Sequence, residues 1–185
     1  QGQHGLLVYH GLGSGKTLSS IFATQKSQKP TTVVTPASLR ENFKKEVKKA
    51  KAKNIYDVFS YEKFAKNPQP HGLQGRSLII DEAHRLRTAT AKRSMAVQQA
   101  AKDADKVILL TGTPIQNKPH EIAPLINTVA GEKRLPEKEQ DFNRLFVRKQ
   151  FDNPGILSRV FLRAKPGVYY HMQNKDLFAD RVKGL

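Results

Sequence analysis

The fold is decided by the stretch Leu78-Ile79-Ile80-Asp81-Glu82-Ala83-His84, in which a short apolar run ends in two adjacent carboxylates. A continuous apolar run of this length is typical of a strand that is buried on both faces of a parallel sheet. Comparable runs lie at 6–9, 32–35 and 107–110, and a further strand-like run lies at 55–59. Helix-compatible segments separate them, and this alternation predicts an α/β fold with a doubly wound parallel sheet.

The predicted helices lie at 16–28, 39–50, 91–101 and 121–129, and Ser38 is predicted to cap the second of them. Beyond residue 131 the pattern is weaker. The spacing of Phe142, Leu145 and Phe146 suggests one more helix, and the runs 156–162 and 168–170 suggest strands. In doubly wound sheets, ligands bind at the carboxyl ends of the strands, so we examine the segments that follow each strand.

A glycine-rich segment, His10-Gly-Leu-Gly-Ser-Gly-Lys-Thr17, follows the first strand and opens the first helix. Glycines allow backbone N–H groups to surround phosphate oxygens, and the helix N-terminus adds partial positive charge. The residues assigned to nucleotide phosphates are Leu12, Gly13, Ser14, Gly15, Lys16 and Thr17, with Lys16 also catalytic. His10 occupies the position of the first glycine in the strict phosphate-loop pattern. The alternative is a glycine-rich turn that carries a surface lysine.

The carboxylates Asp81 and Glu82 follow a buried strand and point to different sides of it. Asp81 is predicted to ligate Mg²⁺ together with the Thr17 hydroxyl, because Mg²⁺ prefers hard oxygen ligands. Glu82 is predicted to act as the general base on an attacking water. His84 is either a sensor of the γ-phosphate or a hydrogen-bonded polar residue. The alternative for the pair is a strand-end turn with solvated acids.

Two other strand ends carry polar residues. Thr35 and Pro36, with Arg40, are predicted to contact a phosphate backbone, although a strand stop followed by a helix start explains them equally well. The segment Thr111-Gly112-Thr113-Pro114 is predicted to couple the state of the nucleotide to the grip on nucleic acid. An ordinary turn is the alternative there, since glycine and proline are common in turns.

The chain has 185 residues, a net charge of +16 and a pI near 10.1, which favours a polyanionic partner. Nucleic acid is the leading partner; a basic but merely soluble surface is the alternative. The absence of cysteine excludes disulfide scaffolds and thiol catalysis, and fits a reducing intracellular compartment such as the nucleus or cytoplasm, or a virion. No apolar run approaches the ~18 residues of a membrane span, so no membrane partner is expected.

Together, these motifs resemble the first RecA-like lobe of superfamily 2 helicases and translocases, over residues 5–131. The stretch 11–17 resembles motif I, Asp81–Thr88 resembles motif II, and Leu110-Thr-Gly-Thr-Pro-Ile-Gln-Asn117 resembles motif III in its Swi/Snf form. Swi/Snf enzymes usually lack a residue such as Ser14 in this loop. The stretch 9–14 looks more like the helicase-like nucleoside triphosphatases of large DNA viruses.

This resemblance implies that ATP with Mg²⁺ is hydrolysed to drive movement along duplex DNA. It places backbone phosphates of the DNA near Thr35, Arg40, Thr113 and Asn117. Such enzymes close a second RecA-like lobe over ATP and take an arginine from it. The usual motif of that lobe, Gln-x-x-Gly-Arg-x-x-Arg, is absent from this sequence. We therefore expect an ATP-binding lobe at 1–131, an extension or linker at 132–185, and a nearly inactive lobe when it is isolated.

Two other functions remain open at this point. The chain could be a basic nucleic-acid-binding module with little or no ATP turnover, whose affinity would fall steeply with salt. It could also be a different phosphate-loop enzyme, such as a kinase or transferase. The stretches 81–84 and 111–117 argue against the last, because phosphoryl transfer to a metabolite needs neither.

Overall fold

Five parallel strands form the central sheet of the computed structural model, which describes residues 4–9, 15–67, 72–88, 91–152 and 167–185. Their spatial order is β1-β5-β4-β2-β3. The bounds are Gly5–Tyr9 for β1, Thr31–Thr35 for β2, Tyr56–Ser60 for β3, Ser77–Ile80 for β4 and Lys106–Thr111 for β5. Because all pairs are parallel, the carboxyl ends of the strands lie at one edge of the sheet.

Five helices cover the two faces of this sheet. Their bounds are Lys16–Gln25 for α1, Arg40–Lys49 for α2, Tyr61–Lys66 for α3, Lys92–Asp103 for α4 and Ile122–Ala130 for α5. Helices α1 and α2 pack on one face, where Ile79 and Ile108 are buried, and α3, α4 and α5 pack on the other, against Ile80 and Leu109. Neighbouring strand residues thus bury their side chains on opposite faces, and the predicted doubly wound sheet is confirmed.

The predicted starts and ends of the elements differ in small ways from those observed. Helix α1 ends at Gln25 rather than at residue 28, and β3 runs one residue further than expected. Ser38 does not cap α2, so that prediction was wrong. The chain enters α2 through a short 3₁₀ helix, Ala37–Leu39, so Ser38 lies inside that turn rather than before the first α-helical residue.

Among the described residues beyond 131, the chain adds two helices and a hairpin. The predicted helix is confirmed as α6, Glu139–Phe146, and a further helix, α7, spans Lys175–Val182. Strands β6 (Val147–Asp152) and β7 (Gly167–Met172) pair antiparallel; β7 contains the predicted run 168–170, whereas β6 was not predicted. The predicted strand at 156–162 lies outside the described residues. Phe142, Phe146 and Phe178 pack in one cluster with α5.

The length and polarity of the helices bear on whether any of them could span a membrane. In the part of the chain that the structure describes, none of the helices combines the length and the apolar composition needed to cross a bilayer.

Candidate nucleotide and nucleic-acid site

A cleft of about 400 Å³ opens at the carboxyl edge of the sheet, beside the first turn of α1 and against α2. Its lining includes Lys16 and Thr17 from α1 and Asp81 and Glu82 from the end of β4. The Lys16 ammonium is near enough to contribute to lowering the pKa of the Asp81 carboxyl. The structure therefore brings together the four residues predicted to hold phosphate, magnesium and the attacking water. Of the other phosphate-loop residues, Leu12, Gly13 and Ser14 lie outside the described residues.

Gly15 sets the start of α1 at the mouth of this cleft. It adopts a φ of 74°, the left-handed region in which side chains with a Cβ are disfavoured. No side chain caps the helix and no acidic residue lies in its first turn. The first N–H groups of this ten-residue helix, with their partial positive charge, therefore lie at the cleft without an acidic residue of their own turn beside them.

Asp81 lies at the floor of the cleft and is only 7% exposed. The Thr35 hydroxyl donates to Asp81 Oδ2 at 2.9 Å, and the Glu82 backbone N–H donates to Oδ1 at 3.0 Å. Burial raises the pKa of Asp81, because these donors and the Lys16 ammonium offset only part of the cost of removing the carboxylate from water. The ionised form of Asp81 therefore lowers the stability of the ligand-free fold.

Tyr61, which was not predicted to belong to the site, supports the turn that carries Asp81 and Glu82. Its side chain is fully buried, and its hydroxyl donates to the backbone carbonyl of Asp81 at 2.8 Å and to that of Glu82 at 3.4 Å. Burial raises the pKa of the phenol, which therefore stays protonated as a donor. Glu82 has a φ of 51°, a strained conformation for a residue with a side chain. Tyr61 follows β3 directly, so its position at the carboxyl edge of the sheet was the sequence feature that could have assigned it to the site.

Glu82 has a second neighbour in His84, whose Nδ1 lies 3.0 Å from Glu82 Oε2. Burial lowers the pKa of His84 despite the opposing attraction of Glu82. The imidazole is therefore neutral at neutral pH. The geometry places His84 where it limits the orientation of Glu82.

The donor set of the cleft fits Mg²⁺. The Thr17 hydroxyl and the Asp81 carboxylate are oxygen ligands of the hard type that Mg²⁺ prefers, and both residues line the cleft. Among the residues that the structure describes, no three His, Cys, Asp or Glu side chains are grouped to hold a metal. Few protein ligands are expected for Mg²⁺ when phosphate oxygens and water complete its octahedron.

The residues predicted to contact nucleic acid after β2 have other partners in the structure. Thr35 and Pro36 are buried, and the Thr35 hydroxyl binds Asp81 rather than facing solvent. This corrects the expectation that the hydroxyl faces a phosphate backbone; β2 lies beside β4, so the end of one strand meets the end of the other. Arg40 is partly buried, and its Nε donates to the Val58 carbonyl at 3.3 Å.

The segment after β5 is held by Arg87, a residue that follows the acidic turn. Arg87 Nη2 donates to the carbonyl and to the hydroxyl of Thr113, and Nη1 donates to Gln116 Oε1 at 2.7 Å. Thr111 is buried and its hydroxyl accepts the Thr113 N–H at 3.2 Å, across the partly buried Gly112. The segment expected to couple nucleotide and nucleic acid is thus joined directly to the chain that follows Asp81 and Glu82.

Glu121 also holds the segment that follows β5. Its carboxylate accepts the backbone N–H groups of Gln116 at 2.7 Å, Asn117 at 3.2 Å and Lys118 at 3.3 Å, and Arg87 Nε lies 3.5 Å away. Burial alone would raise the pKa of Glu121, but these donors and Arg87 outweigh it and hold the pKa below its usual range. The Asn117 side chain is left exposed. Neither residue had a sequence signal: Lys118, three residues before Glu121, is not a typical cap residue, and Arg87 follows no motif of its own.

Comparison with solved structures supports this architecture. The Swi2/Snf2 ATPase core of Sulfolobus solfataricus, solved in complex with dsDNA, superposes with a TM-score of 0.58 at 21% identity, over 77% of this chain and 34% of that one. The Pyrococcus furiosus Hef helicase domain gives a TM-score of 0.57 at 17% identity, over 81% and 38%. At these identities the likeness concerns the fold.

Sequence comparison finds relatives in large DNA viruses. A putative ATP-dependent RNA helicase of Acanthamoeba polyphaga mimivirus is 28% identical over 97% of this chain and 36% of its own length. A termination factor NPH-I homolog of African swine fever virus is 27% identical over 94% of this chain and 29% of its own length. The chain therefore spans about a third of the length of these curated relatives.

The family model described as the SNF2-related domain matches residues 56–165, more than half of the chain. The expected kinship with Swi/Snf-type proteins is thereby confirmed, and this chain belongs to the SNF2-related domain family.

Proposed function

We propose that this chain is the ATP-binding lobe of a nucleic-acid-dependent ATPase that uses ATP hydrolysis to move along duplex DNA. The observation that carries the proposal is the single cleft lined by Lys16, Thr17, Asp81 and Glu82. A cation and a hydroxyl at the start of α1 face two carboxylates at the end of β4, and a magnesium-bound triphosphate needs groups of these kinds to bind its phosphates and its metal.

Each residue of the cleft has one role in this proposal. The Lys16 ammonium and the N–H groups of α1 bind the β- and γ-phosphates. Thr17 and Asp81 would hold Mg²⁺, which would neutralise charge on the phosphate oxygens. Glu82 accepts a proton from the attacking water. The water oxygen then bonds to the γ-phosphorus, the bond to the bridging oxygen breaks, and ADP and phosphate leave.

His84 and Tyr61 act on Glu82, and the sensing of the γ-phosphate by His84 stays a prediction. The Tyr61 hydroxyl holds the carbonyls of the acidic turn, and His84 limits the orientation of the Glu82 side chain. We place the remaining charge stabilisation on a second RecA-like lobe, whose arginine would reach the γ-phosphate. The isolated chain then binds ATP but turns it over slowly.

Nucleic acid is the proposed track because the chain carries a net charge of +16 and an exposed segment at the carboxyl edge of the sheet. Thr113 and Asn117 are exposed there, and Arg87 joins that segment to the acidic turn. Duplex DNA is favoured by the Swi2/Snf2 core, which was solved with dsDNA. RNA is the other candidate track, since the mimivirus relative is named as an RNA helicase.

The test separates binding from turnover. Lys16→Ala in this chain should weaken Mg-ATP binding at least about tenfold by calorimetry, because an ammonium no longer meets the phosphates. Lys26→Ala, at the other end of α1, is the matched control and should bind as the unchanged chain does. Equal ATP affinity in both variants would overturn the nucleotide site.

Turnover is measured on the protein that contains both lobes, with duplex DNA, single strands and RNA as stimulants. Glu82→Gln should retain ATP binding and lower stimulated turnover about 100-fold or more, because the general base is lost. Unchanged turnover would remove Glu82 from that role. Salt-sensitive DNA binding by the unchanged chain, with no measurable ATP binding, would favour the simpler nucleic-acid-binding module.

A further inference from the structure

The β6–β7 hairpin carries a patch of exposed aromatic and basic side chains that the nucleotide site does not use. Lys149 pairs with Tyr170, and Phe151 pairs with Val168, so these positions share one face of the hairpin. Phe151 is 66% exposed, Tyr170 is 44% exposed, and the Lys149 ammonium lies 5.9 Å from the centre of the Tyr170 ring. We call Lys149, Phe151 and Tyr170 the hairpin patch.

Packing among the residues that the structure describes does not account for this exposure. The hairpin forms its own two-stranded sheet, and it is anchored at its base, where Val147 is buried beside Phe146 and pairs with Met172. An isolated two-stranded sheet is only marginally stable in water, and the Phe151 ring, 66% exposed, buries little apolar area in it. Clustered exposed apolar side chains of this kind mark interaction surfaces.

The charge of the hairpin indicates the class of partner. Its other face carries Arg148 opposite His171, and the two strands hold the cations Arg148 and Lys149 against one acidic residue, Asp152. A partner that fits is therefore anionic and has flat faces for the rings. Unpaired nucleotides meet both conditions, because bases stack on aromatic rings and phosphates attract the lysine. Paired bases inside a duplex leave no such face open.

The position of the patch connects it to the segment that the proposed function assigns to nucleic acid. A groove of about 430 Å³ is lined by Ile115 and Pro119 on one side and by Tyr170 and Met172 on the other. Lys118 pairs with Glu139 at 2.7 Å, and Lys149 is close enough to contribute to lowering the pKa of that same glutamate. The hairpin patch and the exposed residues 113–117 are thus neighbours across one groove.

We infer that the hairpin patch binds unpaired nucleotides, with Phe151 and Tyr170 stacking on bases and Lys149 pairing with a phosphate. The inference rests on the proposed function, because it requires nucleic acid beside residues 113–117. The protein would then hold unpaired nucleotides at the hairpin while the sheet edge holds the phosphate backbone of the track.

The test measures the binding of this chain to two labelled probes, an oligothymidylate and a blunt DNA duplex, by fluorescence anisotropy. The variant is Lys149→Gln with Phe151→Ser. The matched control is Lys26→Gln with Phe22→Ser, which removes the same two side-chain types from α1, where Phe22 is 51% exposed. Melting temperatures of both variants check the fold, and Lys149→Arg with Phe151→Tyr should restore binding because a ring and a cation return.

We expect the hairpin variant to raise the Kd for oligothymidylate about tenfold or more relative to the control, because one stacking platform and one phosphate contact are lost. The Kd for the blunt duplex should change no more than in the control. An oligothymidylate Kd equal to that of the control would overturn the inference and leave the patch to a protein partner. An equal loss on both probes would also overturn it, since phosphate charge alone produces that result.

If the unchanged chain binds neither probe, this inference and the nucleic-acid part of the proposed function both fail. The ATP site is tested separately by Lys16→Ala.

Discussion

Two carboxylates near the carboxyl edge of the sheet, the buried Asp81 and the partly buried Glu121, differ in how their surroundings affect their charge. Asp81 follows β4 and is held by the hydroxyl of Thr35 and one backbone N–H, and burial raises its pKa. Glu121 lies after β5, with its side chain 13% exposed, and burial would raise its pKa too. Three backbone N–H groups and Arg87 reverse that effect and lower the pKa of Glu121.

The difference separates a carboxylate kept for a ligand from one that supports the fold. A group whose pKa is raised by burial makes the ligand-free protein less stable when it is ionised, and a cation would remove that cost. A group whose pKa is lowered by its partners stabilises the fold without any ligand. Proteins commonly sacrifice stability at binding sites in this way. Burial disfavours the charged form of both groups, but only for Asp81 does it set the direction of the pKa shift.

The largest effect is expected from Glu121→Ala. It removes the acceptor of three backbone N–H groups and the carboxylate that faces Arg87 Nε, which costs about 2 kcal/mol in the free energy of unfolding. Urea denaturation measures this loss. The control is Glu132→Ala, which breaks the exposed pair with Arg134 and should cost at most about 1 kcal/mol. Equal stability of the two variants would mean that Glu121 does not hold the 113–118 segment.

A smaller effect of opposite sign is expected from Asp81→Asn. The amide keeps the shape, its oxygen can accept from the Glu82 N–H, and its nitrogen can donate to the Thr35 hydroxyl, while the buried charge is removed. The ligand-free chain should gain about 1 kcal/mol, or about 2–4 °C in Tm, and lose the effect of Mg²⁺ on nucleotide affinity. Asp180→Asn, at an exposed position of α7, should leave both properties unchanged. A lower Tm in Asp81→Asn would contradict the contrast between the two carboxylates.

The smallest effect concerns pH. Because the pKa of Glu121 in the folded state lies below its usual value of 4.5, its contribution to stability is fully present above pH 4.5 and is lost as pH falls through the folded-state pKa. The difference in unfolding free energy between the unchanged chain and Glu121→Gln should therefore be constant near neutral pH and shrink only in acid. Urea titrations over a pH series measure it. A difference that stays constant into acid would show that the carboxylate charge contributes nothing.

The fold and the chemistry-bearing residues of the cleft followed from the sequence because both leave local patterns. Buried parallel strands are apolar without interruption, and Gly15, Lys16 and Thr17 stand between a strand and a helix. Asp81 and Glu82 end another apolar run, so their position at the carboxyl edge of the sheet was predictable. The β6–β7 hairpin was not fully predictable, because its strands alternate exposed basic and aromatic residues without a buried face.

The sequence by itself therefore determined that a sheet of parallel strands would bring a lysine, a threonine and two acids to one edge. Only the tertiary structure decided which groups hold them. The Thr35 hydroxyl reaches Asp81 over 46 residues, the Tyr61 hydroxyl reaches the same turn over 20, and Arg87 reaches Thr113 over 26. These contacts depend on the strand order β1-β5-β4-β2-β3, and apolar periodicity, being a property of each segment alone, carries no information about which strands become neighbours.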